Sequence, residues 1–181
     1  MGPKRDDFPN PCPYFDDGDP EMYTKENMEK RKNLKYNGLV RAAIEEFMQE
    51  FQPDSKGNVT KEDYMRTYMK IVTILRPASD SDEIQTLLAA DWELDSADKP
   101  PNFDDFEDEN QRAQAQRDWE AQANKNYEQL TKDKMYDSLY MLADNWCPST
   151  DEKEYEEFFK QLHYRMKYSG QGDQQAYDVL T

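Results

Sequence analysis

Apolar side chains recur at helical spacing along most of this chain, and that periodicity is the strongest constraint on its fold. Ile44, Phe47, Met48 and Phe51 lie at i, i+3, i+4 and i+7, which places them on one face of an amphipathic helix. Further stripes with helical spacing are Tyr64, Tyr68 and Ile71; Ile84, Leu87, Leu88 and Trp92; Met135, Leu139 and Leu142; and Tyr155, Phe158, Phe159, Leu162 and Met166. No segment shows the sustained alternation of a half-buried strand. The sequence therefore predicts an all-α protein.

The net charge of −16 limits the partners that this chain can bind. Nucleic-acid complexes need a basic surface, and anionic membranes attract basic segments, so we expect neither as a partner. The longest apolar run, 71–75, is far too short to cross a bilayer, and no amino-terminal segment resembles a secretion signal. The two cysteines, Cys12 and Cys147, are far apart, which favours free thiols in a reducing compartment. We expect a soluble cytoplasmic protein.

Changes in composition divide the chain into regions. The predicted regions are an extended N-terminal arm (1–35), a helical domain (36–168) with an acidic insertion (about 93–129), and a C-terminal tail (169–181). Closely spaced prolines exclude a helix across "PNPCPYFDDGDP", although residues 21–35 could form a short charged helix. The arm is either a flexible tail or a partner-binding segment that uses Phe8, Tyr14 and Phe15. The acidic insertion is either a solvated excursion or a surface that attracts a basic helix.

The segment "PDSKGNVTKEDY", residues 53–64, has the outline of a calcium-binding loop. Such a loop takes its ligands from positions 1, 3, 5, 7, 9 and 12 around a glycine at position 6. With Gly57 at position 6, the ligand positions are held by Gln52, Asp54, Lys56, Asn58, Thr60 and Asp63. The candidate metal ligands are therefore Asp54, Asn58 and Asp63.

At these residues the chain resembles the EF-hand family, over about 39–75. The resemblance implies a helix–loop–helix unit in which Val59 pairs with a second loop. The metal site itself is degenerate: Lys56 brings an ammonium group close to where a divalent ion would lie, a repulsion of about 8 kcal/mol at ~4 Å and an effective dielectric constant near 20. Asp63 is shorter than the glutamate that normally binds with both oxygens. We therefore expect no metal and no cofactor, calcium being the one ion for which candidate ligands remain.

A second segment repeats the residues that follow the loop. Residues 59–65, "VTKEDYM", are echoed by residues 130–136, "LTKDKMY", because each begins with an aliphatic residue, Thr, Lys and an acidic residue. The resemblance implies a second, paired hand in which Leu130 lies beside Val59. Residues 82–92 would be its entering helix, and the acidic insertion would enlarge its loop.

Two paired hands would form a lobe with a hydrophobic groove. We expect Phe47, Met48, Met135 and Leu139 to line that groove. The groove either binds an amphipathic helix of a partner or closes on itself.

Two further segments are similar to divergent EF-hand-like proteins of cilia and flagella. They are Asp91-Trp92 and "LADNW", residues 142–146. Members of that group are structural or calcium-responsive subunits of axonemal assemblies. The resemblance therefore implies a cytoskeletal, microtubule-associated setting with protein partners.

The sequence contains none of the motifs that commonly support catalysis. His163 is the only histidine, and neither cysteine has zinc-ligand spacing with it. The sequence has no glycine-rich phosphate loop and no nucleophile motif. We expect a non-enzymatic structural or interaction subunit. The alternatives are a calcium-responsive, light-chain-like subunit that binds an amphipathic helix, and a small enzyme with an unrecognised pair of carboxylates.

Overall fold

The computed structural model describes residues 20–122 and 127–168, and within these ranges the chain is almost entirely helical. Its α-helices are α1 (Lys25–Leu34), α2 (Gly38–Phe47), α3 (Lys61–Leu75), α4 (Ser81–Ser96), α5 (Glu109–Gln122), α6 (Lys132–Trp146) and α7 (Glu152–Tyr168). Short 3₁₀ turns cover Pro20–Tyr23, Met48–Phe51 and Phe103–Asp105, and a small ribbon is formed by β1 (Val59–Thr60) and β2 (Gln129–Leu130). The predicted all-α character is confirmed for the described residues. None of the helices in these ranges is long and apolar enough to cross a membrane.

Three of the predicted partner-binding residues and one predicted region lie outside the described residues. The residues are Phe8, Tyr14 and Phe15, and the region is the tail, 169–181. Cys12 lies outside them as well.

Capping side chains set where the helices on either side of the loop begin. The Asn37 side chain accepts hydrogen bonds from the first N–H groups of α2 at 2.9 and 3.3 Å. The Thr60 hydroxyl accepts from the N–H of Asp63 at 3.2 Å and so caps α3. Helix α3 ends at Leu75 because Pro77 disfavours helical backbone in the residue before it.

The hydrophobic core lies where α2, α3, α6 and α7 meet. Its fully buried members include Val40, Ile44, Phe51, Ile71, Leu139 and Tyr155. Phe159 of α7 packs on Phe47 of α2 with ring centroids 5.3 Å apart. Trp92 of α4 packs edge-on against Tyr64 of α3 at 5.0 Å, an arrangement that favours the ring quadrupoles. Most residues of the stripes seen in the sequence are therefore buried, but Leu87, predicted to lie on the buried face of α4, is 41% exposed.

The ribbon joins two segments that are remote in sequence. Val59 and Leu130 are antiparallel partners, as are Thr60 and Gln129. Both aliphatic side chains are fully buried. The ribbon therefore brings the two echoed segments together and closes the core between them.

The charged segment 21–35 of the predicted N-terminal arm contains a helix, as its sequence allowed. Helix α1 begins after Thr24, whose hydroxyl accepts from the N–H of Asn27 at 3.2 Å. Leu34 joins the core cluster, and Arg31 forms an ion pair with Asp144 of α6. These long-range contacts hold α1 on the body of the protein, and spacing within 21–35 does not reveal them.

The acidic insertion contains a helix, and its first and last residues belong to the flanking elements. Helix α4 continues to Ser96, which is buried, and Gln129 belongs to β2, so the excursion begins and ends inside the predicted limits. The Lys134 ammonium donates to the Ser96 carbonyl and to Asp98 Oδ1, each at 2.7 Å. It also lies 4.3 Å from the centre of the Tyr127 ring, so one lysine of α6 holds both ends of the excursion. Between these ends, α5 packs on the preceding 3₁₀ turn through an aromatic pair.

Candidate functional site

The loop between α2 and α3 is held by one of its own carboxylates. Asp54 Oδ1 accepts hydrogen bonds from the backbone N–H groups of Lys56 and Asn58, both at 2.9 Å. The N–H of Gly57 donates to the Asp54 carbonyl at 2.9 Å, and Gly57 has a φ of 85°, a left-handed conformation that favours glycine. Asp54 therefore stabilises the turn through protein donors, as aspartate does in Asx turns.

An arginine bridges the two ends of the loop. Arg66 Nη2 donates to Gln52 Oε1 at 3.4 Å and to Asp63 Oδ1. The other carboxylate oxygen of Asp63 accepts from the Thr60 hydroxyl at 3.0 Å. A guanidinium cation thus lies between the residues that occupy the first and last ligand positions. The sequence pattern missed Arg66 because it lies beyond the loop; its i+3 spacing from Asp63 is the signal that could have found it.

Two lysines lie beside the loop. A cavity of about 400 Å³ opens there, and its charged lining residues are Lys56, Lys132, Asp54 and Glu45. The stem of Lys132 covers the loop glycine, since a Cβ added to Gly57 would lie 3.0 Å from Lys132 Cβ. Across the described residues, no three His, Cys, Asp or Glu side chains are grouped so as to hold a metal ion. Of the candidate ligands, the carboxylates of Asp54 and Asp63 already bind protein donors.

The residues predicted to line a partner-binding groove are buried in the core. Phe47 and Met48 are 2% exposed, and Met135 and Leu139 are 0% exposed. Helix α7 packs against α2, α3 and α6 and covers this surface. Of the two alternatives for this groove, the structure therefore has the one in which the lobe closes on itself. The physical reason is that the apolar stripe of α7 supplies the cover that a partner helix would otherwise supply.

A polar network links α3, α4 and α6 within the core. Asp95 Oδ2 accepts from the hydroxyls of Tyr64 and Ser138, both at 2.6 Å, and the Tyr68 hydroxyl lies 2.6 Å from Ser138 Oγ. Burial raises the pKa of Tyr64 and of Tyr68 above the ordinary value, so both phenols keep their protons. The network orients α4 on its neighbours. Sequence reasoning missed it because Asp95 is one acid among many, and only the fold shows which of them faces inward.

A second polar cluster ties α1 and α7 to α6. Asp144 accepts from Arg31 Nε at 2.9 Å and Arg31 Nη2 at 2.7 Å, and from the Tyr155 hydroxyl at 2.7 Å. The Tyr140 hydroxyl donates to the Arg31 carbonyl. The hydrogen bond with Asp144 raises the pKa of Arg31, although burial opposes it. The "LADNW" segment resembles ciliary proteins in sequence, but that resemblance does not predict that Asp144 joins three helices. This role depends on tertiary contacts.

The histidine and the described cysteine have structural surroundings. His163 Nδ1 lies 2.9 Å from Glu50 Oε1 on the surface. Cys147 is buried, and burial together with the carboxylates of Glu154 and Asp144 raises the pKa of its thiol to about 12. A thiol in that state is a weak nucleophile near neutral pH.

No protein-family model matches the chain, and no curated protein or solved structure matches it at a significant level. The contacts of the loop, the ribbon and the two polar clusters are therefore the basis for a functional proposal.

Proposed function

We propose that this protein is a non-enzymatic structural and interaction subunit whose two degenerate EF-hand-like units form one closed helical lobe. Its setting is a ciliary or flagellar axoneme, where it belongs to a microtubule-associated assembly. The observation that carries the proposal is the contact of Arg66 with Gln52 and Asp63. There an arginine side chain neutralises the last carboxylate of the loop, so the loop needs no metal ion to balance that charge.

The ribbon and its caps support an arrangement of two related units. Thr60 and Thr131 follow the two paired aliphatic residues directly, and each begins a helix. Each threonine hydroxyl accepts from the N–H three residues later, at 3.2 and 3.3 Å respectively. Equivalent caps beside a common ribbon are the contacts expected of a duplicated helix–loop–helix unit. Apolar burial between the units stabilises the closed lobe without an ion.

The proposed setting rests on the resemblance of Asp91-Trp92 and residues 142–146 to ciliary proteins. Trp92 and Ala143 lie in the core, and Asp144 joins three helices, so both segments contribute to the fold of the lobe. The charge of −16 opposes attachment to the acidic tubulin surface by simple attraction. Other proteins of the assembly are therefore the expected binding partners.

A calcium titration separates this proposal from a calcium-responsive subunit. A sensor with a dissociation constant near 10 µM would be stabilised by about 2.7 kcal/mol in about 1 mM calcium. For a domain of this size, that gain corresponds to a rise in melting temperature of roughly 5–11 °C. We expect a rise of less than about 1 °C and no calorimetric binding signal. A rise of the size that a sensor requires would contradict the proposal.

A variant with a rebuilt loop tests the EF-hand-like framework directly. Gln52→Asp and Lys56→Asp add ligand carboxylates, and Asp63→Glu lengthens the last one. Lys56→Asp and Arg66→Ala also remove two cations near the loop. We expect calcium to raise the melting temperature of this variant, with the wild-type protein as the control. If the rebuilt loop gains no calcium response although the variant is folded, the framework is not EF-hand-like.

Affinity capture tests the proposed axonemal setting. The full chain, expressed in ciliated cells and cross-linked before lysis, should recover axonemal proteins. Recovery of only nuclear or secretory proteins would exclude the axonemal setting while leaving the calcium result unaffected.

A further inference from the structure

A small apolar pocket opens on the outer surface between α2 and α7. Phe47 and Phe159, whose ring centroids are 5.3 Å apart, belong to its lining, together with Leu39 and Ala42 of α2. Leu39 is 37% exposed, so apolar surface continues from the pocket to its mouth. The pocket is open to solvent.

The volume of the pocket, about 210 Å³, limits what it can hold. An apolar cavity of about 150 Å³ is large enough to bind benzene. Pockets for drug-sized ligands are larger, about 300–1,000 Å³. The pocket therefore fits one aromatic or aliphatic side chain, which is the size of an anchor residue at a protein interface.

The charged residues that line the pocket indicate the sign of the partner's charge. The titratable residues that line the pocket are Glu46, Glu156, Lys160 and His163, and Glu156 forms an ion pair with Lys160 at 2.5 Å. Among the described residues, the Glu46 carboxylate forms no ion pair within 4.0 Å, although Glu156 and, to a smaller extent, Glu46 raise the pKa of Lys160. A basic residue of a partner would pair with Glu46, and the charge of −16 would attract a basic segment from a distance.

We propose that this pocket holds one large apolar side chain, phenylalanine or leucine, from a basic segment of a partner protein, with a lysine or arginine of that segment beside Glu46. The inference deepens the proposed function and rests on it, because it names the surface through which the subunit binds. A second copy of this chain is a poor occupant, since two copies would bring their acidic charge together. The pocket differs from the buried groove that the sequence predicted, because it lies outside α2 and α7 rather than beneath them.

The test uses the full chain and three synthetic peptides. The first is a fluorescein-labelled, lysine-rich peptide with one central phenylalanine, the second has alanine at that position, and the third has glutamate in place of lysine. We expect the phenylalanine peptide to bind at least about 10-fold more tightly than the alanine peptide, because the ring is buried in the pocket. The glutamate peptide should show no binding. Amide shifts in α2 and α7 should report the site.

Matched variants distinguish peptide binding in the pocket from general electrostatic attraction to the acidic protein. Ala42→Leu fills the mouth of the pocket, and Ala89→Leu makes the same change at an exposed position of α4. Glu46→Gln removes a charge of the pocket lining, and Glu93→Gln removes an exposed charge of α4. We expect Ala42→Leu to reduce the affinity for the phenylalanine peptide to that for the alanine peptide, and Glu46→Gln to weaken binding about 3-fold. Both α4 variants should bind like the wild-type protein.

Equal binding of the phenylalanine and alanine peptides would overturn the inference, as would equal effects of Ala42→Leu and Ala89→Leu. Shifts confined to α4 or α5 would overturn it too. A failure of the proposed function gives another result. The pocket would still bind the phenylalanine peptide, but affinity capture would recover no axonemal protein. Conversely, axonemal partners captured equally well by Ala42→Leu would refute the pocket and leave the proposed function standing.

Discussion

Replacing Asp144 with asparagine tests how the lobe is held together. The change keeps the shape of the side chain but removes the negative charge beside Arg31. The Arg31 and Asp144 side chains are only 13% and 17% exposed, so solvent cannot fully replace the lost charge. The Tyr155 hydroxyl would still find an oxygen acceptor, because asparagine keeps one.

The expected loss of stability lies between two limits. Removing one partner of a fully buried pair costs about 3–5 kcal/mol, whereas an exposed pair contributes about 0–1 kcal/mol. The pair of Arg31 with Asp144 is bidentate and mostly buried, so we expect Asp144→Asn to lower the free energy of unfolding by about 2–3 kcal/mol. For a domain of this size, that loss lowers the melting temperature by roughly 4–12 °C.

Urea unfolding monitored by circular dichroism measures the effect, and a double-mutant cycle with Arg31→Met isolates the pair. Glu26→Gln is the control, since it removes the exposed pair of Glu26 with Lys30, whose side chains are 79% and 54% exposed. The control should change the free energy of unfolding by less than about 0.5 kcal/mol. A loss for Asp144→Asn no larger than that of the control would refute the reasoning, as would a coupling energy below about 0.5 kcal/mol.

Further predictions concern the ribbon, the buried thiol and a carboxylate of α4. Leu130→Ala should cost about 2–5 kcal/mol in urea unfolding, because the side chain is fully buried, while Leu94→Ala at a 76% exposed position should cost less than about 0.5 kcal/mol. Comparable losses for the two would argue against the core described here. Cys147 in the native protein should react with iodoacetamide at pH 8 at least about 100-fold more slowly than in urea, as measured by peptide mapping, because burial raises the pKa of its thiol to about 12. Burial and the nearby charge of Asp95 raise the pKa of Asp91, so ionised Asp91 lowers stability above that pKa. Asp91→Asn should therefore be more stable than the wild-type protein at pH 7 by about 0.2–0.5 kcal/mol. This difference should vanish as the pH falls through the raised pKa, and a constant difference across that range would contradict the assignment.

The loop between α2 and α3 shows which features of a site a residue pattern predicts and which it does not. The position of Gly57 predicts a tight turn, and the glycine has the left-handed φ that such a turn requires. The same pattern identifies Asp54 and Asp63 as candidate ligands. It does not show that Asp54 binds the N–H groups of its own loop or that Arg66 binds Asp63, because both facts depend on side-chain geometry.

The sequence by itself determined the helical fold and its buried faces, because helical periodicity is a local property that neighbouring residues specify. The resemblance to EF-hand loops also predicted that Val59 lies beside Leu130, and the two residues are partners in the ribbon. Only the tertiary structure decided that α7 covers Phe47 and that Asp144 receives Arg31. Such contacts join residues far apart in the chain, and many pairings of stripes and charges satisfy the same local pattern. Close packing of the whole lobe selects one of them.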